Sequence, residues 1–221
     1  MADSLWRPAL RLSPAAEGTT GSYLGGSRGG SPADPNGLTL LAQIELADLQ
    51  RALRFDWLPA DGALLFFYDV ENQPWGSEPQ DRGGFDVQWI AQPRPCGALK
   101  KIDIAFERIQ TLPSLGSSAL AELNLNVAEY RMYSDLEMEF DSGEQPQHRI
   151  GGWPQLFEGD MDGGLTPVPA SGDAWRLLLQ LDSDDALQWQ WVDRGRLYFW
   201  VLESDARRGD FSKSWCFLGS S

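Results

Sequence analysis

The sequence predicts an α+β fold: two related strand–helix–strand pseudo-repeats, with largely antiparallel sheets around a shared core. Three observations lead to this prediction. Short apolar runs with the length of a strand recur along the chain. Leucines at three- and four-residue steps, typical of a helix with one buried stripe, follow the first clear run. Similar strings of residues occur in the same order near both ends, which indicates an internal duplication.

The first half is predicted to span about residues 24 to 110, and it shows the strand–helix–strand unit most clearly. Residues 38–44 have the length of a strand, and Leu46, Leu49 and Leu53 then fall on one helical stripe. A proline ends this helix, because proline disfavours helical backbone at the preceding residue. An Asp-Gly turn signal then leads into the aromatic strand ALLFFYDV.

The second half is predicted to span about residues 140 to 221, with strands at Trp175–Leu181 and Leu197–Leu202. A helical connector is expected at about residues 117–133, where a serine pair can cap a helix and apolar residues recur at helical spacing. The predicted organisation is an irregular N-terminal segment followed by one domain, at residues 1–23 and 24–221.

The charge of the chain restricts its partners. With 18 basic and 32 acidic residues, the formal net charge is −14. Nucleic acid and anionic membranes are bound by concentrated lysine and arginine, so neither is an expected partner. A basic protein is the partner that this charge favours.

The chain is expected to be cytoplasmic. No apolar run approaches the roughly 20 residues that cross a bilayer, and the first residues lack the pattern of a signal peptide. The two cysteines, Cys96 and Cys216, are too few and too far apart for a disulfide framework or a zinc site. Buried thiols in a reducing compartment account for them better.

The duplication depends on two matched pairs of segments. Leu41–Ile44 parallels Leu178–Leu181, and Asp61–Phe66 parallels Arg194–Phe199. A Gly-Gly pair precedes each half in the same order. Because several matches follow one another in the same order, an internal duplication explains them better than chance does.

These segments also resemble the YwqG-like family, a mostly bacterial group classed as a domain of unknown function. Its members show a Leu-Ala-Gln-Ile strand, an aromatic strand after a Leu-Pro pair, a second Gly-Gly element, a Leu-Leu-Gln-Ile-Asp-Ser-Asp motif and a Trp-Gly-Asp-x-Gly motif. The matching segments are Leu41–Ile44, Leu58–Phe67, Gly151–Pro154, Leu178–Asp184 and Trp191–Phe199. The resemblance spans about residue 24 to the end and implies an α+β fold of two related halves, without an established reaction.

The sequence departs from this family pattern at three places. Val192 stands where the pattern has glycine, Leu181 replaces isoleucine, and the first Gly-Gly pair lacks its following proline. A binding role of the N-terminal glycine-rich loop, if the family has one, is therefore altered in this chain.

The acids that end the second half's first strand raise the question of a metal. An EF-hand-like loop would use Asp182, Asp184 and Asp193 at its first, third and twelfth positions. Ala186 and Leu187 then occupy the positions that need an oxygen ligand and a glycine. The spacing therefore favours a turn role, in which the acids accept backbone N–H bonds as the chain leaves the strand. Neither a metal nor another cofactor is expected.

No catalytic constellation is recognisable. His148 is the only histidine, and a hydrogen-bonding role is favoured over that of a catalytic base. Paired carboxylates could serve a glycosidase, but no spacing singles out two of the many acids. The leading hypothesis is therefore a non-catalytic binding or protein-interaction module.

The alternative is a small-ligand-binding protein or an enzyme with a cleft between the two halves. The candidate lining residues are Gln43, Gln180, Asp182, Asp184 and Asp193. Separately, Trp191 is a candidate for a partner-facing position, because it lies in the polar link between two strands.

Overall fold

The structure, a computed structural model, describes residues 5–18, 21–25, 37–92, 101–115, 117–140, 146–157 and 172–220. The described residues contain ten strands: β1 (Arg7–Pro14), β2 (Tyr23–Gly25), β3 (Thr39–Glu45), β4 (Ala63–Tyr68), β5 (Phe85–Ile90), β6 (Lys101–Thr111), β7 (Arg149–Gly151), β8 (Trp175–Asp182), β9 (Arg196–Leu202) and β10 (Trp215–Gly219). They also contain a 3₁₀ helix (Pro79–Gly84) and four helices: α1 (Leu46–Ala52), α2 (Ser118–Ala121), α3 (Val127–Phe140) and α4 (Glu203–Arg207). No helix within these ranges is long and apolar enough to cross a membrane.

All ten strands belong to one antiparallel sheet, in the order β10-β9-β8-β7-β1-β6-β2-β3-β4-β5. The sheet curls until its two edge strands approach each other, so that it is nearly a closed barrel. Phe85 of β5 meets Trp215 of β10 edge to face, with 5.2 Å between ring centroids. The Leu218 N–H of β10 also donates to the Trp75 carbonyl at 3.0 Å. These contacts cover the exposed backbone groups that an open sheet edge would present.

The concave face of the sheet holds the main core. Alternate residues of every long strand point inward, as in Leu10 and Leu12 of β1, which are buried in the main apolar cluster. Strand β4 is buried at every position because its inner residues join this core while Leu65 and Phe67 join a smaller cluster on the outer face. A strand covered on both faces has a continuous apolar sequence.

The two ends of the sheet repeat one pattern of strand pairing. Strand β2 pairs with β3 and β3 with β4 in the first half; β7 pairs with β8 and β8 with β9 in the second. The register of β3 against β4 shifts between Leu40 and Ala42, and that of β8 against β9 shifts between Leu177 and Leu179. The bulges thus fall at Leu41 and Leu178, which the sequence comparison places in matching segments.

The predicted α+β fold of two strand–helix–strand units is wrong: the structure is mostly antiparallel sheet. Only the first half has a helix between its paired strands, and that helix, α1, has seven residues. In the second half residues 183–195 join β8 to β9 without a helix. The turn closes early, because Asp184 and Trp189 exchange both backbone hydrogen bonds at 2.9 Å.

The N-terminal segment also differs from the expectation. Residues 7–14, in the stretch predicted to be irregular, form β1 near the middle of the sheet. Leu10 and Leu12 alternate with Arg11 and Ser13, which is the pattern of a strand. The predicted connector at residues 117–133 lies where α2 and the first half of α3 form.

Candidate functional site

A polar cavity of about 360 Å³ lies on the outer face of the sheet, opposite the core. Its walls come from β1, β6, β7, β9, helix α3 and the segments that follow β6 and β7. The lining residues are Arg11, Glu107, Ile109, Gln110, Thr111, Leu112, Ser114, Glu137, Gln147, Arg149, Gln155, Leu156 and Arg196. The set contains three arginines and two glutamates, so the cavity is polar and carries charges of both signs.

Four neighbouring strands form the floor of this cavity. Glu107 of β6 is opposite Arg11 of β1, Arg11 is opposite Arg149 of β7, and Arg149 is opposite Gln180 of β8. Residues directly opposite one another point to the same face of a sheet. A row of polar side chains therefore crosses the outer face, whereas Leu10, Leu12 and Ile150 beside it face the core.

Arg196 is held in the cavity wall by a buried ion pair. Its Nε lies 2.9 Å from Oδ1 of Asp182, and the two side chains are 7% and 0% exposed. The other carboxylate oxygen of Asp182 accepts the Gln147 N–H at 2.9 Å, and Oδ1 also accepts the Gln180 amide at 3.1 Å. A buried ion pair is tolerated when such extra hydrogen bonds satisfy its remaining groups.

Gln155 forms the wall beside this ion pair, and hydrogen bonds to four residues of the described chain hold it. Its N–H donates to Oε1 of Gln180 at 3.0 Å, and its side-chain oxygen accepts Nη2 of Arg149 at 2.8 Å. Its carbonyl accepts Nη1 of Arg196 at 3.1 Å and the Tyr198 hydroxyl at 2.5 Å. Burial raises the pKa of the Tyr198 hydroxyl, which therefore stays protonated and donates.

The charges of the cavity differ in exposure. Arg149 and Arg196 are each only 6% exposed, so the guanidinium groups stand at the buried end. The Glu107 side chain is 60% exposed and lies 3.7 Å from Arg11, which makes this a loose surface pair. Glu137 of α3 is partly exposed and accepts the Leu115 N–H at 3.2 Å. The buried end of the cavity therefore carries two arginines, whereas its more exposed lining carries Glu107, Glu137 and the partly exposed Arg11.

His148 and Asp184 lie close to the cavity but are engaged with the protein. The Asp182 N–H donates to Nδ1 of His148 at 3.1 Å, so the ring proton sits on Nε2, which donates to Oδ2 of Asp184 at 3.2 Å. This hydrogen bond from His148 is the main reason that the pKa of Asp184 is lowered. Because both ring nitrogens serve the protein, His148 has the geometry of a structural residue rather than of a base.

A second cavity, of about 260 Å³, opens beside the same histidine. Most of its lining side chains are apolar, and they include Leu12, Leu24, Ile104 and Leu187. Its polar lining residues are Arg11, Ser13 and the hydrogen-bonded pair of His148 and Asp184. This cavity therefore lacks the convergent donors of the outer-face cavity.

The structure brings together only part of the predicted set. Gln180 and Asp182 lie at the outer-face cavity and bind its walls. Gln43 lies on β3, separated from β8 by four strands, and its amide donates to the Gly21 carbonyl at 3.0 Å. The two glutamines therefore do not approach one another, and the structure does not bring them together in the predicted cleft.

The remaining predicted residues lie elsewhere in the second half. Asp184 accepts the Ala186 N–H at 2.7 Å and closes the turn after β8, and Asp193 is exposed in the following loop. Trp191, expected to face a partner, is 1% exposed and packs edge to face on Tyr68, 5.8 Å between centroids. In the described part of the chain, no group of three or more metal-ligating side chains converges.

The sequence reasoning missed the arginines. Arg149 and Arg196 stand inside apolar, strand-like stretches, RIGG and RLYFWV, and Arg11 stands between two core leucines. An arginine in such a stretch marks a polar spot on a covered face, since charged side chains are buried only with partners. This signal could have indicated the site, although not that the three side chains meet.

The fold and the site define an antiparallel β-sheet protein with a charged cavity on its outer face. The chain belongs to the DUF1963 family, a domain of unknown function, whose family model matches residues 27–219. That match covers every element from β3 to β10, and it leaves β1, with Arg11, outside. A comparison with curated proteins finds no similar sequence.

Proposed function

We propose that this chain is a non-catalytic binding module that holds a small anionic molecule in the outer-face cavity. The observation that carries the proposal is that three arginines, Arg11, Arg149 and Arg196, line one cavity. The volume of about 360 Å³ is in the range of small-molecule sites.

The chemistry of the cavity suits an anion. A guanidinium group offers several N–H donors in a planar fork that matches a carboxylate or a phosphate. The position of the Arg149 group is set by Gln147 and Gln155, each 2.8 Å from Nη2, and that of Arg196 by Asp182. Donors held in place lose little freedom when a ligand binds, which favours affinity.

The same geometry favours binding over catalysis. A catalytic base must reach a substrate proton, and both nitrogens of His148 are occupied by Asp182 and Asp184. Tyr198, whose hydroxyl donates to the same Gln155 carbonyl as Arg196, has a raised pKa because it is buried. Neither group is arranged as a nucleophile or a base.

The test is a binding assay on the full chain with a panel of small anions. Acetate, succinate, inorganic phosphate and free amino acids are screened by thermal shift, and the hits are measured by calorimetry. We expect at least one anion to bind, and we expect Arg149→Gln to weaken it about tenfold or more, because a charged hydrogen bond is lost. Arg11→Gln, at a more exposed position, is expected to weaken binding less.

Arg54→Gln is the matched control. Arg54 is an exposed arginine paired with Asp56 and lies away from the cavity. Circular dichroism and the melting temperature show whether each variant is folded. If no anion binds, or if the control weakens binding as much as Arg149→Gln does, the proposal fails.

A second proposal concerns the exposed surface of α3. Four large apolar residues of this helix are 49% to 72% exposed: Val127, Tyr130, Met132 and Met138. Acidic residues lie among them, which suits a basic, partly apolar protein partner. Methionine adapts its shape to different partners.

The test of this surface uses a labelled peptide of alternating leucine and lysine residues. We expect micromolar binding that weakens with added salt, and we expect Met132→Gln with Met138→Gln to reduce it several-fold. Arg149→Gln is the control here, because it lies in the cavity and not on α3. Binding that survives the double substitution would contradict the proposal.

We also propose a cytoplasmic location and a place among the YwqG-like members of the family. The first is supported by Cys216, a buried thiol with no disulfide partner among the described residues. The second is supported by the Gly151–Pro154 element and by the segment Leu178–Asp184. Cys96 and the first Gly-Gly pair lie outside the described residues, apart from Gly25.

A further inference from the structure

The outer-face cavity holds two arginines at its buried end and two glutamates among its more exposed lining residues, where the 39% exposed Arg11 pairs with Glu107. Arg149 and Arg196 are almost fully buried, whereas Glu107 is mostly exposed at the mouth. Glu137 reaches the same cavity from α3. A ligand that enters with its anion first would therefore leave its other end beside two carboxylates.

We propose that the ligand is a zwitterion of the size of an α-amino acid or a dipeptide, a proposal that rests on the proposed function. Its carboxylate binds the guanidinium groups of Arg149 and Arg196 at the buried end. Its ammonium group lies at the mouth and donates to Glu107 and Glu137. The bound molecule then matches the polarity of the cavity at both ends.

The volume of the cavity limits the size of this ligand. A space of about 360 Å³ is at the small end of the range of small-molecule sites, so it suits an amino acid or a dipeptide rather than a longer peptide. Glu107 and Arg149 stand on β6 and β7 with only β1 between them, and both line this one space.

The charges of the cavity disfavour two other ligand classes. A dianion would bring its second negative charge towards Glu107 and Glu137, and like charges repel. An uncharged ligand would make no charge-assisted hydrogen bonds to the guanidinium groups, so it would bind more weakly. The pair of Glu107 and Arg11 is 3.7 Å long and exposed, so little stability is lost when Glu107 turns to an ammonium group.

The test compares three chemical forms of each ligand by calorimetry with the full chain. The free forms are the twenty amino acids and a set of dipeptides; the second form is N-acetylated and lacks the ammonium group. The third form is C-amidated and lacks the carboxylate. We expect the free form of at least one ligand to bind about tenfold tighter than its acetylated form, and tighter still than its amide.

Two substitutions with one control locate the effect. Glu107→Gln is expected to reduce the preference for the free amine several-fold, because only Glu137 remains, while the acetylated form binds as before. Arg149→Gln is expected to weaken the free and acetylated forms alike. Glu122→Gln removes one exposed acid outside the cavity lining, so it controls for the change in net charge and should alter nothing.

Each outcome decides one of the two proposals. Equal binding of free and acetylated forms overturns the zwitterion while anion binding stands. If phosphate or succinate binds but no amino acid or dipeptide does, the zwitterion is likewise overturned while anion binding stands. Equal binding of free and amidated forms overturns the proposed function itself, and so does the absence of binding by every anion.

Discussion

The two halves of the sheet make equivalent side-chain hydrogen bonds but differ in the charged residues that they carry. Gln43 donates its amide to the Gly21 carbonyl at 3.0 Å, and Gln180 donates its amide to the Gln147 carbonyl at 3.3 Å. Both glutamines follow a bulge and stand opposite the short strand of their half. Since the same glutamine contact appears in both halves, it belongs to the scaffold.

The strand ends are also equivalent. The Glu45 N–H donates to the Ser22 hydroxyl at 2.8 Å, and the Asp182 N–H donates to His148 Nδ1 at 3.1 Å. In each half the residue before the short strand thus anchors the acid that ends the next strand. The histidine takes a position that a serine fills in the other half.

The arginines have no counterpart in the first half. The positions equivalent to Arg149 and Arg196 in the register hold Tyr23 and Ala63, and the position of Arg11 holds Asp103. The strand pairing of the two halves is therefore alike, while the buried arginines Arg149 and Arg196 belong to the second half alone. The residues that differ between the two similarly paired halves, rather than those they share, therefore indicate where a specific site lies.

The largest effect expected from this comparison is at the strand ends. Asp182→Ala leaves the buried Arg196 without its carboxylate, and losing one partner of a buried ion pair costs about 3–5 kcal/mol. Glu45→Ala, at the equivalent and more exposed position, should cost less than about 1 kcal/mol. Urea denaturation of both variants measures the difference. Equal losses would show that the ion pair adds nothing beyond the scaffold.

The glycine before β4 gives the next largest effect. Gly62 has φ of +84°, and a Cβ there would lie 2.6 Å from the Ile90 carbonyl oxygen. Gly62→Ala should therefore lower the free energy of unfolding by about 1–3 kcal/mol. Gly209→Ala is a useful control, because Gly209 has a similar φ of +71° but open space around it. Its loss should be smaller, and a larger loss would contradict the steric explanation.

The second half should also depend on pH through Asp184. Because the folded pKa of Asp184 lies below its ordinary value of 3.8, the unfolded chain binds the proton at a higher pH than the folded chain. The stability from this group is thus present above that value and is lost as the pH falls through the folded pKa. We expect the wild type to lose stability between about pH 5 and pH 3 more steeply than Asp184→Asn.

The measurement for this prediction is urea denaturation at half-unit steps of pH. His148→Ser introduces the residue type that the first half has at the equivalent position. It should also make the stability depend less steeply on pH, because the hydrogen bond to Asp184 disappears. Other acids contribute to the slope of all three proteins, so only the difference between them bears on Asp184. Identical slopes would contradict the prediction.

The smallest effect is a stabilisation in the loop before β9. Val192 has φ of +46°, which is strained for a β-branched residue, and the family pattern described above has glycine here. Val192→Gly should relieve this strain and increase the free energy of unfolding by about 1 kcal/mol. The melting temperature should rise as a result. The Val192 N–H bond to Gln73 at 2.9 Å is kept by glycine. A lower melting temperature would show that the valine side chain contributes packing instead.

Much of the local structure could be predicted from the sequence. Strands β3, β4, β8 and β9 lie where apolar runs of strand length occur, and α1 lies under its leucine stripe. Local patterns suffice here because side-chain period and turn chemistry act over a few residues. The prediction of a second strand–helix–strand unit was wrong because the two halves share their matched strands but not the connections between those strands.

The chain's apolar periodicity and turn residues thus predict strands β3, β4, β8 and β9 and helix α1, whereas β1 was missed. The charged cavity is different, because Arg11, Glu107, Arg149 and Arg196 come from four strands far apart in sequence. Which strands become neighbours depends on burying all the apolar faces at once, and on pairing every backbone group. Only the tertiary structure therefore decides that these side chains meet, and that Gln43 and Gln180 do not.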